Sequence, residues 1–157
     1  MKLQISLALL LGASTLFANE SLITKAKNAG LEAIPSNKQV LMKLIDDPKD
    51  PITDSKVELG KKLYFDPRLS RSNLISCNTC HNLALGGADG VPAAIGHGWT
   101  ANPHHLNSPT VYNSVFFKAQ FLDGRSPHLA DQAAGPIQAG PEMAAPPALV
   151  VERINSI

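Results

Sequence analysis

Ser76-Cys77-Asn78-Thr79-Cys80-His81 is the stretch of the chain that decides its fold class. Positions three apart lie on the same face of one helical turn, so both sulfurs can reach one edge of a planar ring. The histidine that follows can swing under that ring and present a nitrogen to iron. Cys-x-x-Cys-His is the attachment pattern of c-type haem. The residues therefore predict a covalent haem c on Cys77 and Cys80, with His81 as the proximal iron ligand.

The start of the chain supports this interpretation of the two cysteines. Lys2 precedes an apolar run that ends near the small residue Ala18, which is typical of a secretory signal peptide at residues 1–18. The run is short for a bilayer span, so we expect a periplasmic protein with no stable membrane insertion after cleavage. Two cysteines in an oxidising compartment could also form a local disulfide. A redox Cys-x-x-Cys usually lies near a βαβ pattern, which this sequence lacks.

Composition bounds the rest of the chain. With 157 residues and 44% hydrophobic residues, residues 19–157 suit one domain with a sizeable core. A formal net charge of +1 argues against nucleic acid as the main partner. Aromatic residues make up only 5%, and a prosthetic group could supply core volume that side chains do not.

Short helices and long loops are predicted throughout. Ser36 or Asn37 is the candidate N-cap of one helix, and Thr53 or Asp54 is that of the next; no convincing strand is found. Ser126-Pro127 predicts a helix start, and Gly135-Pro136 predicts the end of that helix. The segment 86–109 has no period, and loops of this length are usually functional or packed on a ligand. We therefore expect an all-α, cytochrome c-like haem domain with long loops.

Seven ordered blocks resemble the N-terminal haem domain of bacterial dihaem cytochrome c peroxidases. The blocks extend from about Lys61 to Met143 and comprise LGKKLYFDPR (59–68), SCNTCHNL (76–83), GGADG (86–90), IGHGW (95–99), NSPTVYN (107–113), FLDGR (121–125) and GPEM (140–143). The resemblance implies a periplasmic enzyme that reduces hydrogen peroxide to water. It also implies two c-type haems, with peroxide reacting at the N-terminal one. A small cytochrome c or a copper protein of the cupredoxin type supplies the electrons, and the full-length family members tend to form homodimers.

One departure from that family is large. The chain has a single Cys-x-x-Cys-His motif, so the second haem domain is absent from the sequence. We interpret the chain as part of a longer protein that carries a second haem. A one-haem relative is the alternative.

The resemblance implies a second iron ligand at His97, sixteen positions after His81. In such proteins this distal ligand leaves when the partner haem is reduced, and the glycines on either side of His97 suit a hinge. His104, His105 and His128 are rivals by spacing alone. Met143 is the type of ligand that a simple electron-transfer cytochrome uses, but here it lies in the last matched block.

Peroxide cleavage also needs a group that moves a proton between the two oxygens. Glu142 matches the pocket carboxylate of the family and is the predicted general acid/base. Gln132 matches a pocket amide that would orient peroxide or water through hydrogen bonds. Without the resemblance, an exposed loop charge and an exposed helix residue are the simpler interpretations of these two positions.

Four further positions carry weaker expectations. Arg125 could pair with a haem propionate or with Asp123. Trp99 could pack against the haem. Asn107 matches a calcium ligand of the family, so calcium is a possible second cofactor. Leu122 stands where the family commonly has tryptophan, which removes any electron route through that side chain.

Three classes of function remain compatible with the sequence. The first is a haem peroxidase, as the resemblance implies. The second is a one-haem electron carrier that stays six-coordinate and performs no peroxide chemistry. The third is a related dihaem protein that oxidises another substrate, as the protein-modifying relatives do.

Overall fold

The computed structural model of the chain describes residues 21–103 and 107–156. The chain divides after Asp46 into two compact units. In the first unit, α1 covers residues 21–28 and α2 spans Lys38–Ile45. The side chain of Asn37 accepts hydrogen bonds from the backbone N–H groups of Gln39 and Val40, which satisfies two free donors at the start of α2. The predicted cap at Asn37 is confirmed.

The second unit contains four helices joined by loops and short 3₁₀ turns. The helices are α3 (Asp54–Tyr64), α4 (Cys77–Cys80), α5 (Leu129–Gln138) and α6 (Pro147–Asn155), and the 3₁₀ turns are Pro67–Leu69, Leu83–Leu85 and Ser114–Phe116. Within the described ranges there are isolated bridges but no β-strand, so the prediction of a helical fold is confirmed. None of the helices in those ranges has the length and hydrophobicity needed to cross a lipid bilayer.

Local hydrogen bonds explain where α3 and α4 begin and end. Thr53 Oγ1 accepts from the backbone N–H of Lys56 at the start of α3, as predicted. In α4, the backbone N–H of Ser76 donates to Thr79 Oγ1 over 3.0 Å, and the N–H of His81 donates to the Cys77 carbonyl over 2.9 Å. The haem motif therefore forms a single helical turn that stops at its histidine.

The predicted limits of α5 are wrong at both ends. The helix begins at Leu129 because the backbone of Ser126 pairs with Gln120 in an isolated bridge and the N-cap His128 is extended. Pro136 does not close the helix but lies inside it. Only one helical hydrogen bond is lost to a proline this close to the C-terminus, and Ala139 N–H still donates to the Gly135 carbonyl.

The buried core of the second unit is small. Leu69, Ile75 and Met143 form its centre, and the partly buried residues Leu63, Ile137 and Val150 pack against them. Arg153 joins α6 to the turn beneath it by donating to the carbonyls of Arg68, Ser70 and Arg71. Several other apolar side chains, among them Ile95, Phe117 and Leu129, line a large cleft.

Candidate functional site

A cleft of about 1010 Å³ opens beside this core. That volume lies at the upper end of the range for cofactor sites, about 300–1,000 Å³. Its walls come from α3, α4, α5 and the connecting loops, and they include the apolar side chains of Leu63, Ile75, Val111, Phe117, Leu129 and Ile137. The cleft is therefore suited to a large, mostly apolar group.

Both cysteines of α4 line the cleft as free, partly buried thiols. Burial raises the pKa of the Cys77 thiol. Burial also raises the pKa of Cys80 to about 11, with further contributions from the negative charges of Asp89 and Glu142. A reactive redox dithiol relies on a lowered cysteine pKa. The raised pKa values of Cys77 and Cys80 therefore do not suit the redox alternative.

His81 is held in the tautomer that a metal ligand requires. Its Nδ1 lies 2.9 Å from the carbonyl oxygen of Pro109 and 3.3 Å from that of Gly87. A carbonyl oxygen only accepts hydrogen bonds, so Nδ1 carries the proton and Nε2 keeps its lone pair. Histidine ligands to metals are commonly oriented by such a carbonyl behind the ring. The Tyr64 hydroxyl donates to the backbone carbonyl of His81 and holds the same residue from α3.

These residues fit a covalently bound haem. The two thiols reach the cleft from one turn of helix, and the histidine beside them, also in the cleft wall, has a free Nε2. Apolar side chains surround them, as a porphyrin ring requires. The small core described above is also in keeping with a prosthetic group that completes the packing.

Glu142 and Gln132 line the same cleft as the cysteines. Gln132 extends from α5, and Glu142 lies on the loop between α5 and α6. Both residues are partly buried. Glu142 lies close enough to Cys80 for its negative charge to add to the rise in the pKa of that thiol, after burial and the charge of Asp89. The structure thus brings a carboxylate and an amide to the site, and their catalytic roles stay predictions.

His97 occupies a loop that lies directly against the Glu142 loop. Its backbone N–H donates to the Glu142 carbonyl over 2.7 Å. The preceding Gly96 is buried, and a Cβ added there would lie 1.8 Å from the Pro141 carbonyl oxygen. The His97 side chain is partly buried and is not among the residues that line the cleft. Its role as a displaceable iron ligand stays a prediction.

The rival ligands are distributed differently. His104 and His105 lie outside the described residues. His128 is exposed at the N-terminus of α5. Met143 is 5% exposed and belongs to the hydrophobic core as well as to the cleft wall.

Three other predicted site residues have clear surroundings. Arg125 lines the cleft, but its Nη1 also pairs with Asp123 over 2.8 Å, and its guanidinium lies 3.4 Å from the ring centroid of Phe121. Trp99 is 64% exposed and does not line the cleft. Asn107 lines the cleft and donates through Nδ2 to the Val91 carbonyl. No group of three or more His, Cys, Asp or Glu side chains within residues 21–103 and 107–156 is arranged to hold a metal ion.

Sequence reasoning assigned no role to three residues that shape the site. Tyr64 and Pro109 hold His81, and Arg71 contacts the loop that carries Glu142. Tyr64 and Pro109 stand inside the matched blocks, so their positions were visible in the sequence. Their contacts are made over 17 and 28 positions, which no local pattern encodes.

The fold and the site fit a helical haem-binding domain. The family model for di-haem cytochrome c peroxidase matches residues 54–157. The chain belongs to this family, and the predicted resemblance is confirmed.

Individual relatives agree with that assignment. The chain is 58% identical to a cytochrome c551 peroxidase of Pseudomonas aeruginosa over 107 residues, which is 68% of this chain and 30% of that protein. It is 46% identical to the methylamine utilization protein MauG of Methylorubrum extorquens over 114 residues, or 72% of this chain and 32% of that protein. A crystal structure of a MauG-like protein associated with microbial copper homeostasis superposes with a TM-score of 0.64 at 26% identity, covering 71% of this chain and 33% of that one. The chain thus spans about a third of these relatives' length.

Proposed function

We propose that this chain forms the peroxidatic haem domain of a periplasmic cytochrome c peroxidase. One observation carries the proposal: a ligand-ready histidine beside two haem-attaching cysteines shares a cleft with a carboxylate and an amide. An electron carrier needs only the histidine and the two cysteines. The carboxylate and the amide suit a site at which a small polar substrate is protonated and cleaved.

Cys77 and Cys80 would hold the haem covalently, and His81 Nε2 would bind its iron. Bound haem would supply the metal at which peroxide is activated and the route by which electrons arrive. The remaining part of a longer protein would carry a second haem and take electrons from a small cytochrome c or a cupredoxin. Overall, hydrogen peroxide takes up two electrons and two protons and yields two molecules of water.

Glu142 moves the proton within the cleft. Its carboxylate accepts the proton of one peroxide oxygen and delivers it to the other oxygen, which leaves as water. Gln132 orients peroxide by donating from its amide nitrogen and accepting at its amide oxygen. Both groups reach the cleft from rigid positions, Gln132 from α5 and Glu142 from a loop with many backbone hydrogen bonds.

His97 would gate this site by binding the haem iron in the resting protein and withdrawing when the partner haem is reduced. Its loop position outside the cleft wall is compatible with the withdrawn arrangement. Arg125 would pair with a haem propionate in place of Asp123, and Trp99 would pack against the haem.

The remaining expectations complete the proposal. Residues 1–18 direct export and are removed, and residues 19–157 form the haem domain. Asn107 contributes to a calcium site whose other ligands come from water or from the rest of the full-length protein. The full-length protein assembles as a homodimer.

Catalytic turnover separates the peroxidase from the electron carrier. The full-length haem-loaded protein is mixed with an excess of reduced cytochrome c, and hydrogen peroxide is added while donor oxidation is followed by absorbance. A peroxidase oxidises two equivalents of donor for each peroxide over many cycles. Donor oxidation that stops after the protein's own haems have exchanged electrons would contradict the proposal. Oxidation of a partner protein's side chains without water-producing turnover would identify the MauG-like alternative.

A further inference from the structure

The loop that carries Glu142 is held by hydrogen bonds to its consecutive carbonyls. We call residues 142–145 the Glu142 segment. The N–H of His97 donates to the Glu142 carbonyl over 2.7 Å. The N–H of Arg71 donates to the Met143 carbonyl over 2.8 Å, and Arg71 Nε donates to the Ala144 carbonyl over 3.0 Å. Arg71 therefore supplies the donors to both carbonyls that follow Glu142.

The Glu142 segment needs such support because its backbone is irregular. Ala144 has φ +53°, in the left-handed region that a residue other than glycine rarely adopts. Its side chain is nevertheless buried, as are those of Met143 and Ala145. A strained, buried conformation persists only where its surroundings fix it. The carbonyl that Arg71 Nε bonds is the one that belongs to the left-handed residue.

Arg71 is itself held in place from α6. Arg153 Nη2 donates to the Arg71 carbonyl over 3.0 Å, and Arg153 Nη1 donates to the Arg68 carbonyl over 3.0 Å. The Arg71 side chain is largely exposed, but its backbone is tied to one helix and its Nε to the Glu142 segment. Arg71 therefore links α6 to the Glu142 segment through hydrogen bonds.

We propose that Arg71 is a positioning residue for Glu142. By bonding the two carbonyls that follow Glu142, Arg71 keeps the left-handed turn at Ala144 and so keeps the Glu142 carboxylate in the cleft. Arg71 touches neither the peroxide nor the haem. The proposal rests on the proposed role of Glu142 as the group that moves the proton.

A double-mutant cycle in the full-length haem-loaded protein tests this proposal. Arg71→Met removes the Nε donor and keeps the backbone N–H. It lowers kcat for peroxide reduction about tenfold, in the range expected for a misplaced catalytic group, and leaves KM for reduced cytochrome c unchanged. Arg71→Lys keeps a donor and restores part of the loss. In Arg71→Met with Glu142→Gln, kcat falls no further than in Glu142→Gln alone.

Arg68→Met is the matched control. Arg68 lies in the same turn, but its guanidinium pairs with Asp66 and not with the Glu142 segment. The control keeps kcat within about twofold of wild type, as surface substitutions usually do. Haem content, Soret spectrum and thermal unfolding are measured for each variant. If Arg71→Met does not accumulate as folded haem protein, Arg71→Gln takes its place in the cycle with the same expected outcome.

The outcomes separate this proposal from the one on which it rests. Wild-type kcat in the Arg71 variant, or losses that multiply in the double variant, would overturn the positioning role while leaving Glu142 as the acid/base. Wild-type kcat in Glu142→Gln would overturn the role of Glu142 and this proposal with it. An equal loss in Arg68→Met would show that any change in this turn is sufficient, which also overturns the specific role of Arg71.

Discussion

Two parts of the cleft wall are built in different ways. The attachment side consists of Cys77, Cys80 and His81, which come from one helical turn, and only the support behind the histidine is brought in from elsewhere. In the second part, the loop side, the loop at His97 meets the loop at Glu142, 45 positions further along the chain, through a backbone hydrogen bond. The attachment side is thus a local property of the sequence, whereas the loop side depends on how two irregular loops fit together.

The glycines beside His97 show what this fit requires. A methyl group on Gly96 would collide with the backbone of Pro141, but one on Gly98 would meet only Thr100 Oγ1, at 3.9 Å. The sequence predicted the same hinge role for both residues. The structure distinguishes them: Gly96 allows two backbones to approach, and Gly98 lies in open space.

The largest expected effect concerns the attachment side. Replacing both Cys77 and Cys80 by alanine removes both sulfurs and therefore all covalent haem from this domain. The measurement is haem staining of the domain peptide after denaturing electrophoresis. Asn78→Ala, a change at a variable position of the motif, is the control and retains the stain. Haem that stays on the double alanine variant through denaturation would contradict attachment at α4.

The next effect contrasts Gly96 and Gly98, the two glycines that flank His97 on the loop side. Gly96→Ala pushes the His97 loop away from Pro141, and we expect kcat for peroxide to fall about tenfold, with a loss of about 1–3 kcal/mol in the free energy of unfolding. Gly98→Ala leaves kcat within about twofold of wild type and the free energy of unfolding within about 0.5 kcal/mol of it. Turnover assays and thermal unfolding measure the pair. Equal effects of the two substitutions would show that close approach at Gly96 does not shape the site.

The smallest effect returns to the attachment side. Burial raises the pKa of Tyr64 from 10.0 to about 12, with smaller contributions from Cys77 and Tyr112. The folded protein therefore keeps this proton at a pH where the unfolded chain releases it, and Tyr64 stabilises the fold fully below about pH 10. That contribution declines as the pH rises from about 10 to about 12.

Tyr64→Phe removes this dependence together with the hydrogen bond to His81. The loss in the free energy of unfolding is about 1 kcal/mol near neutral pH, and the difference from wild type shrinks above about pH 10. Chemical unfolding at a series of pH values measures it. Tyr112→Phe is the control because its hydroxyl donates to the Leu83 carbonyl instead of to His81, and Tyr112 makes only a smaller contribution to the pKa of Tyr64. If the difference in unfolding free energy between wild type and Tyr64→Phe stays constant up to about pH 12, the raised pKa of Tyr64 is contradicted.

The sequence predicts the features that depend on local patterns better than those that depend on contacts between distant segments. The haem motif, the caps at Asn37 and Thr53 and the helical class depend on local patterns, and they agree with the structure. The limits of α5 do not, because the bridge between Gln120 and Ser126 overrides the local preference of Pro127. The contact of Arg71 with Ala144 joins positions 73 apart, so no local sequence pattern predicts it. Matched family blocks could place Glu142 at the site, but only the structure shows what holds it there.

Turnover of the Glu142→Gln variant is the most direct test of the proposed chemistry. Glutamine keeps the size of the side chain but cannot carry a proton between peroxide oxygens, so kcat should fall at least about 100-fold. Glu152→Gln, an exposed position on α6, is the control and should remain near wild type. Both variants are measured as full-length haem-loaded protein with reduced cytochrome c as donor. A Glu142→Gln variant that turns over peroxide as fast as Glu152→Gln would contradict a catalytic carboxylate in this cleft.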